Sequence, residues 1–346
     1  MSTVAKGKFY RLAIRLLALA LLLPVLRVDA SPLFEESTVL EIDLAGPLGR
    51  IVGEKDGRAE HPFVLRAQGI EHPVEVRKRG KSRTRVCDFP PLRVEFSGDE
   101  EASSPFAGQH RLKLVTHCGK GESFETYLLK EYAAYRIFNV ISDIGYRVRL
   151  VRVNYTDTDA APGQSAFSRY GFFIESAPEL ARRMGGRPVE AVGVTLGSFD
   201  QVHTATVFIF QYLIGNTDWS LVTADLDDTC CHNGDVFEIG ARRFYVPFDF
   251  DLSGLVNTRY AKPDASLGIS RVTQRRYRGY CVSSDILTEA LQAIKARREA
   301  ILDVVGEVPR LSEKDASVAV KYLDTFFDKA KNEGRLVRSF ERRCLD

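Results

Sequence analysis

Residues 208–220 read FIFQYLIGNTDWS, residues 221–235 read LVTADLDDTCCHNGD, and residues 236–255 read VFEIGARRFYVPFDFDLSGL. The stretch 200–214 is apolar nearly all round its helical circumference, which predicts a buried helix that stops at Gly215. Asn216 and Asp218 follow at once. Two strand-like runs, 236–239 and 243–248, predict a hairpin turned at Gly240-Ala241 that delivers Asp249 and Asp251 to its end. Carboxylates presented at the ends of two apolar elements suit phosphoryl transfer. One orients an acceptor hydroxyl while the other holds a cation against phosphate oxygens. The bland alternative makes Asp218 a turn residue closing the helix and leaves Asp249 and Asp251 solvated at a strand end. Mutual repulsion of those two favours a cation or a basic neighbour.

Upstream, Phe124, Leu128, Tyr132, Tyr135 and Phe138 recur at three- and four-residue steps and predict a helix over 122–141, with Glu131 on the flank of its apolar stripe. Before it the chain reads as strands: 38–44, 74–77, a strand after Pro90-Pro91, and 111–115 carrying Lys113. After it come strands 146–155 and 170–175, the latter ending at Glu175, and a short helix 178–184 closed by Gly185-Gly186. Two capped helices, 286–305 and 312–331, complete the chain. The expected class is α+β, organised as a signal segment 1–30, a β-rich lobe 31–120, a central region 121–260 carrying the site, and a helical cap 261–346.

Composition narrows the setting. With 45% hydrophobic and 27% charged residues in 346, the chain is expected to fold around a substantial core. Lys6, Lys8, Arg11 and Arg15 precede an apolar run at 16–26, and Val28-Asp29-Ala30 offers a cleavage site after Ala30. This reads as an export signal, so the expected location is secreted or periplasmic. The first 30 residues carry five basic and one acidic side chain, so their removal takes the net charge from +2 to −2 and removes the electrostatic case for nucleic acid. No later segment is expected to span a membrane. Six cysteines in an exported chain imply disulfides, with Cys87–Cys118 and Cys281–Cys344 the preferred pairs and Cys230 and Cys231 left open.

The order of several motifs resembles the CotH-type secreted kinases, a divergent branch of the protein-kinase-like fold. Arg79-Gly80-Lys81-Ser82 and the following Phe89-Pro90 resemble that family's Arg-Gly-Asn-Ser and the strand after it. Tyr170-Gly171-Phe172-Phe173-Ile174-Glu175 resembles its Gly-x-Tyr-x-x-x-Glu strand. Asn216-Thr217-Asp218-Trp219 resembles its Asn-x-Asp-Arg loop, and Pro247-Phe248-Asp249-Phe250-Asp251 its Pro-x-Asp-x-Asp element. The motifs span roughly residues 75–255.

The resemblance implies an atypical kinase using ATP with Mg²⁺ or Mn²⁺ to phosphorylate a hydroxyl on a protein or other acceptor. Asp218 would orient the acceptor, and Asp249 and Asp251 would hold metal. Lys113 and Glu131 would form an ion pair at the nucleotide phosphates, and Glu175 would lie at the adenine end. Trp219 stands where the family carries a basic residue, and the next asparagine is Asn233, fifteen residues after Asp218. Residues 221–234 read as an insertion whose end would supply Asn233 as the remaining metal ligand. The alternative is a non-catalytic secreted binding or structural protein on a degraded kinase-like scaffold. Other features have plain readings: a solvated acidic loop at Asp225-Leu226-Asp227-Asp228, a core role for Trp219, and a solvated basic loop at Arg271, Arg275, Arg276 and Arg278.

Overall fold

Alternation along residues 40–46 sends Leu40, Ile42 and Leu44 inward and leaves Glu41 and Asp43 exposed. The computed structural model describes residues 32–54, 57–80, 82–98, 100–161, 166–191, 194–221 and 230–345. The expected export signal at 1–30 and the acidic run at 225–228 lie outside the described residues.

Seven strands close into a barrel: β1 (Leu40–Gly46), β2 (His61–Ala67), β3 (Ile70–Lys78), β4 (Leu92–Phe96), β5 (Arg111–Val115), β6 (Val148–Asp157) and β7 (Ala166–Ile174). Their spatial order is β1-β2-β3-β4-β5-β7-β6, and β6 returns to pair with β1 in parallel. The interior is filled by inward side chains, among them Leu44, Leu65, Val76, Val94, Leu112 and Phe173. Short helices α1 (Pro32–Glu35), α2 (Leu48–Gly53) and α3 (Arg83–Val86) decorate this half. Pro90 and Pro91 precede β4 rather than interrupt it, as diprolines must.

The second core lies beyond the barrel. Helix α4 (Glu122–Ile141) buries Tyr132, Tyr135 and Phe138. It is followed by α5 (Ala177–Arg183) and a small sheet of β8 (Gly186–Val189), β9 (Gly234–Ile239) and β10 (Arg242–Pro247), in the order β10-β9-β8. Helix α6 (Gln201–Ile214) is buried throughout from His203 to Ile214. It is capped by Asp200, which accepts from the His203 N–H at 2.9 Å, and ends at Gly215 with φ +67°.

The expected helix over 286–305 is two helices, α7 (Ser284–Lys295) and α8 (Arg298–Gly306). The chain turns at Ala296-Arg297 because α7 packs on α6 while α8 packs on α4 and α9 (Glu313–Ala330). A last helix, α10 (Glu333–Glu341), buries Leu336, Val337 and Phe340. The protein is therefore α+β, with a β-rich N-terminal half and a helical C-terminal region. Among the described residues no helix is long and apolar enough to cross a membrane.

Cys87–Cys118 and Cys281–Cys344 are bridged as expected, and Cys230 pairs with Cys231. The two long loops are worth about 4 kcal/mol each in chain entropy, and such bonds suit an oxidising compartment.

Candidate functional site

Strand register builds the first part of the site. Arg77 on β3 stands opposite Arg93 on β4, and Arg93 stands opposite Lys113 on β5. Three cations thus form a row across three adjoining strands, an arrangement that is unfavourable unless something neutralises it. Burial, with Arg77, Arg111 and Arg79 nearby, pulls the Arg93 guanidinium below its usual range. Burial and then Arg79 do the same to the Lys113 ammonium. Arg93 Nε is buried with no hydrogen-bond partner. Lys113 Nζ lies 5.2 Å from the Phe248 ring centre and 5.8 Å from that of Tyr146.

Beside this row sits an ionic cluster that draws on three distant parts of the chain. Arg83, at the start of α3, donates through Nη2 to Glu131 Oε1 and to Asp249 Oδ1, both at 2.6 Å. Its Nε lies 3.1 Å from Asp251 Oδ2. Glu131 comes from the buried face of α4, and the two aspartates from the turn after β10. Asp249 has φ +60°, a left-handed conformation uncommon for a non-glycine residue. The Asp249 N–H donates to Tyr135 Oη at 2.9 Å, which holds that turn against α4. The Tyr260 hydroxyl donates to Asp251 Oδ2 at 3.0 Å.

Burial dominates the electrostatics of the cluster. It pushes Glu131 up to about 8 against the opposing pull of Arg83, and Asp251 up to about 6 in the same way. Arg79 adds a second cation within electrostatic reach of Asp249.

The sign of the Glu131 shift makes a testable statement. A carboxyl whose folded value lies above its ordinary 4.5 gives stability that is complete below that value and is lost as pH rises through about 8. Glu131→Gln, a neutral isostere, should remove this dependence. Melting temperatures of the two proteins should diverge between pH 5 and 8, with the wild type falling relative to the variant. Parallel curves would contradict the assignment.

Asp218 is held separately. Gly215 ends α6, Asn216 Oδ1 accepts from the Asp218 N–H at 3.0 Å, and the carboxylate faces the β9 approach. His232 Nε2 lies 2.9 Å from Asp218 Oδ1. Asn233 Nδ2 donates to Asp218 Oδ2 at 2.9 Å and to its carbonyl at 2.7 Å. A cavity of about 310 Å³ opens beside Asp218, with Thr217, Leu252, Lys262, Asp264 and Arg278 on its wall. The backbone stitches this loop to the Asp249 turn: Gly254 N–H donates to Gly215 O, Leu255 N–H to Ile214 O, and Phe248 N–H to Asn233 O.

Several expected partners are exchanged. Glu131 pairs with Arg83, where Lys113 was expected, because Arg83 reaches the buried face of α4 while Lys113 lies over Phe248 and Tyr146. Asn233 turns its amide to Asp218, not to Asp249. Glu175 is engaged by Arg183 at 2.8 and 2.9 Å and by the Arg147 N–H at 3.0 Å, which ties the end of β7 to α5. Asp249 and Asp251 meet Glu131 around Arg83, and Asp218 has its own partners in His232 and Asn233. Trp219 is core, stacked on Phe208. Arg275 is structural, donating to Leu213 O and Tyr322 O. Arg83 carried no sequence signal beyond a basic run at 79–85.

Magnesium, which the resemblance implies, does not fit the donors as they are engaged. Asp249 and Asp251 are committed to Arg83, Asp251 also to Tyr260, and Asn233 to Asp218. Among the described residues no three His, Cys, Asp or Glu side chains are arranged to hold a metal ion.

The site thus belongs to the class in which a β-rich half and a helical half meet around charged side chains. No family model and no curated protein matches the chain. Among solved structures it is similar to the proinflammatory kinase CtkA of Helicobacter pylori, with 12% identity and a TM-score of 0.35 over 83% of this chain and 92% of that one.

Proposed function

We propose that this protein is an exported, kinase-like phosphotransferase that binds a nucleoside triphosphate where the barrel meets the helical half. The observation that carries the reading is the row Arg77–Arg93–Lys113, in which Arg77 meets Glu60 at 3.4 Å while Arg93 Nε is buried without a hydrogen-bond partner and Lys113 lies over two rings. A polyphosphate chain supplies the neutralising charge and the acceptors that Arg93 Nε and Lys113 lack. Asp249, the most exposed member of the neighbouring cluster, borders the row.

Asp218 serves the acceptor. His232 and Asn233 fix its carboxylate at the wall of a cavity large enough for a hydroxyl-bearing side chain. The acceptor oxygen bonds to the terminal phosphorus, the bond from that phosphorus to the bridging oxygen breaks, and nucleoside diphosphate departs. The hydroxyl proton passes to Asp218. The Arg83 cluster favours a second reading, a scaffold that binds nucleotide without turning it over, because its carboxylates are already neutralised from within.

Thermal denaturation of the mature chain with ATP tests both. ATP at about 100 times its dissociation constant should add roughly 2.7 kcal/mol, and Lys113→Ala should weaken binding roughly tenfold or more. Transfer of labelled terminal phosphate to an acceptor or to water, lost in Asp218→Asn, separates phosphotransferase from scaffold. An ATP-induced shift unchanged by Lys113→Ala would remove the basic row from the proposal.

A further inference from the structure

We infer that Arg83 is this protein's built-in cation: its guanidinium does the electrostatic work of a divalent ion at Glu131, Asp249 and Asp251, and the cluster takes up no metal while Arg83 is present.

Geometry comes first. Two guanidinium nitrogens reach three carboxyl groups at 2.6, 2.6 and 3.1 Å, and Arg83, Glu131 and Asp251 are all buried. A fork of fixed N–H donors satisfies several carboxylates at once, which a lysine ammonium does less well. The anchorage is equally firm. The Arg83 carbonyl accepts from the Cys87 N–H at 3.0 Å, and Cys87 is bridged to Cys118, so the backbone behind the guanidinium is tied down.

Charge balance follows. Three carboxyl groups, Glu131, Asp249 and Asp251, already stand within 2.6–3.1 Å of the Arg83 guanidinium, and Arg79 lies within electrostatic reach of Asp249 and Glu131. A divalent ion added there would set two further positive charges against these guanidinium groups in a largely buried space, where unbalanced charge is costly. Arg83 cannot relieve this by losing its proton, because guanidinium stays charged in proteins. Asn233, the remaining neutral donor expected nearby, is spent on Asp218. For the phosphotransferase reading, and resting on it, the consequence is that nucleotide phosphates meet Arg77, Arg93, Lys113 and Arg79 directly rather than through a bridging ion.

The experiment uses the mature chain, Mn²⁺ and ATP. In the wild type, millimolar Mn²⁺ should leave the melting temperature unmoved. Arg83→Ala, which leaves the carboxylates without their cation, should gain a Mn²⁺-dependent rise in melting temperature and a calorimetric binding isotherm. Adding Asp249→Asn to Arg83→Ala should abolish both. A Mn²⁺ shift in the wild type that Asp249→Asn removes overturns the inference, as does a folded Arg83→Ala protein indifferent to Mn²⁺. The wild-type arm stands even if Arg83→Ala does not fold. ATP affinity in the wild type should change by less than about threefold between EDTA and Mg²⁺. A tenfold or greater loss in EDTA also overturns it. No ATP binding in either buffer would sink the nucleotide reading and leave the Mn²⁺ result to decide the rest.

Discussion

Arg83→Ala, without added metal, is expected to lower stability by about 3–5 kcal/mol, or roughly 4–8 °C in melting temperature for a chain of this size. The loss comes less from the bonds removed than from the carboxyl groups left behind. Glu131 and Asp251 are buried, and among the described residues Asp251 keeps Tyr260 as its side-chain donor. Both would respond by holding their protons to higher pH. Each would then have a folded value further above its ordinary one, so the penalty grows as pH rises. The variant should therefore lose more at pH 8 than at pH 5. Combining it with Glu131→Gln should recover part of the loss, since one of the stranded groups is then neutral. Urea unfolding of the four proteins at the two pH values measures this. A loss below about 1 kcal/mol at pH 8 would mean that the cluster is not held by Arg83.

Gly215→Ala is the second large effect, expected at about 2–5 kcal/mol from two separable causes. Its φ of +67° is a left-handed conformation that costs an L side chain about 1–2 kcal/mol. A Cβ there would also sit 2.0 Å from Tyr322 Oη, and relieving that overlap costs roughly 1–3 kcal/mol more. Tyr322 Oη is buried without a hydrogen-bond partner, so Tyr322→Phe alone should be close to neutral. In the double variant the steric part should return and the backbone part should remain. Because Gly215 O accepts from Gly254 N–H, displacement here also shifts the loop carrying Asp218. On the proposed phosphotransferase reading, labelled-phosphate transfer should then fall more than stability does. A double variant no better than Gly215→Ala would show that Tyr322 yields without strain.

Much of the fold could be read from the chain because the deciding signals are local. The helix predicted over 122–141 and the one ending at Gly215 carry their apolar periodicity and stop signals within themselves. The hairpin turn at Gly240-Ala241 and the two long disulfide pairs follow the same logic. What escaped was mostly set by distant partners. Strand β2 begins with a proline at its second position, and only its neighbours β1 and β3 make it a strand. The break between α7 and α8 contains neither proline nor glycine and reflects what each half packs against. Helix α10 had a readable pattern in Leu336, Val337 and Phe340 that the expected end at residue 331 cut off. At the candidate site, the sequence singles out Glu131, Asp249 and Asp251 but not the arginine that joins them. Nothing near Arg83 in sequence marks it as the counterpart of residues 48 and 166 positions away.

The parallel pairing of β1 with β6 has a consequence for biogenesis. Leu40 registers with Val151 and Gly46 with Asp157, and β7 stands between β5 and β6, so the ring cannot shut until about half of the polypeptide has emerged. Until then the earliest strand exposes one unpaired flank, a template for association with other nascent chains. Once shut, the ring offers no such flank, and its first strand is shielded from strand exchange.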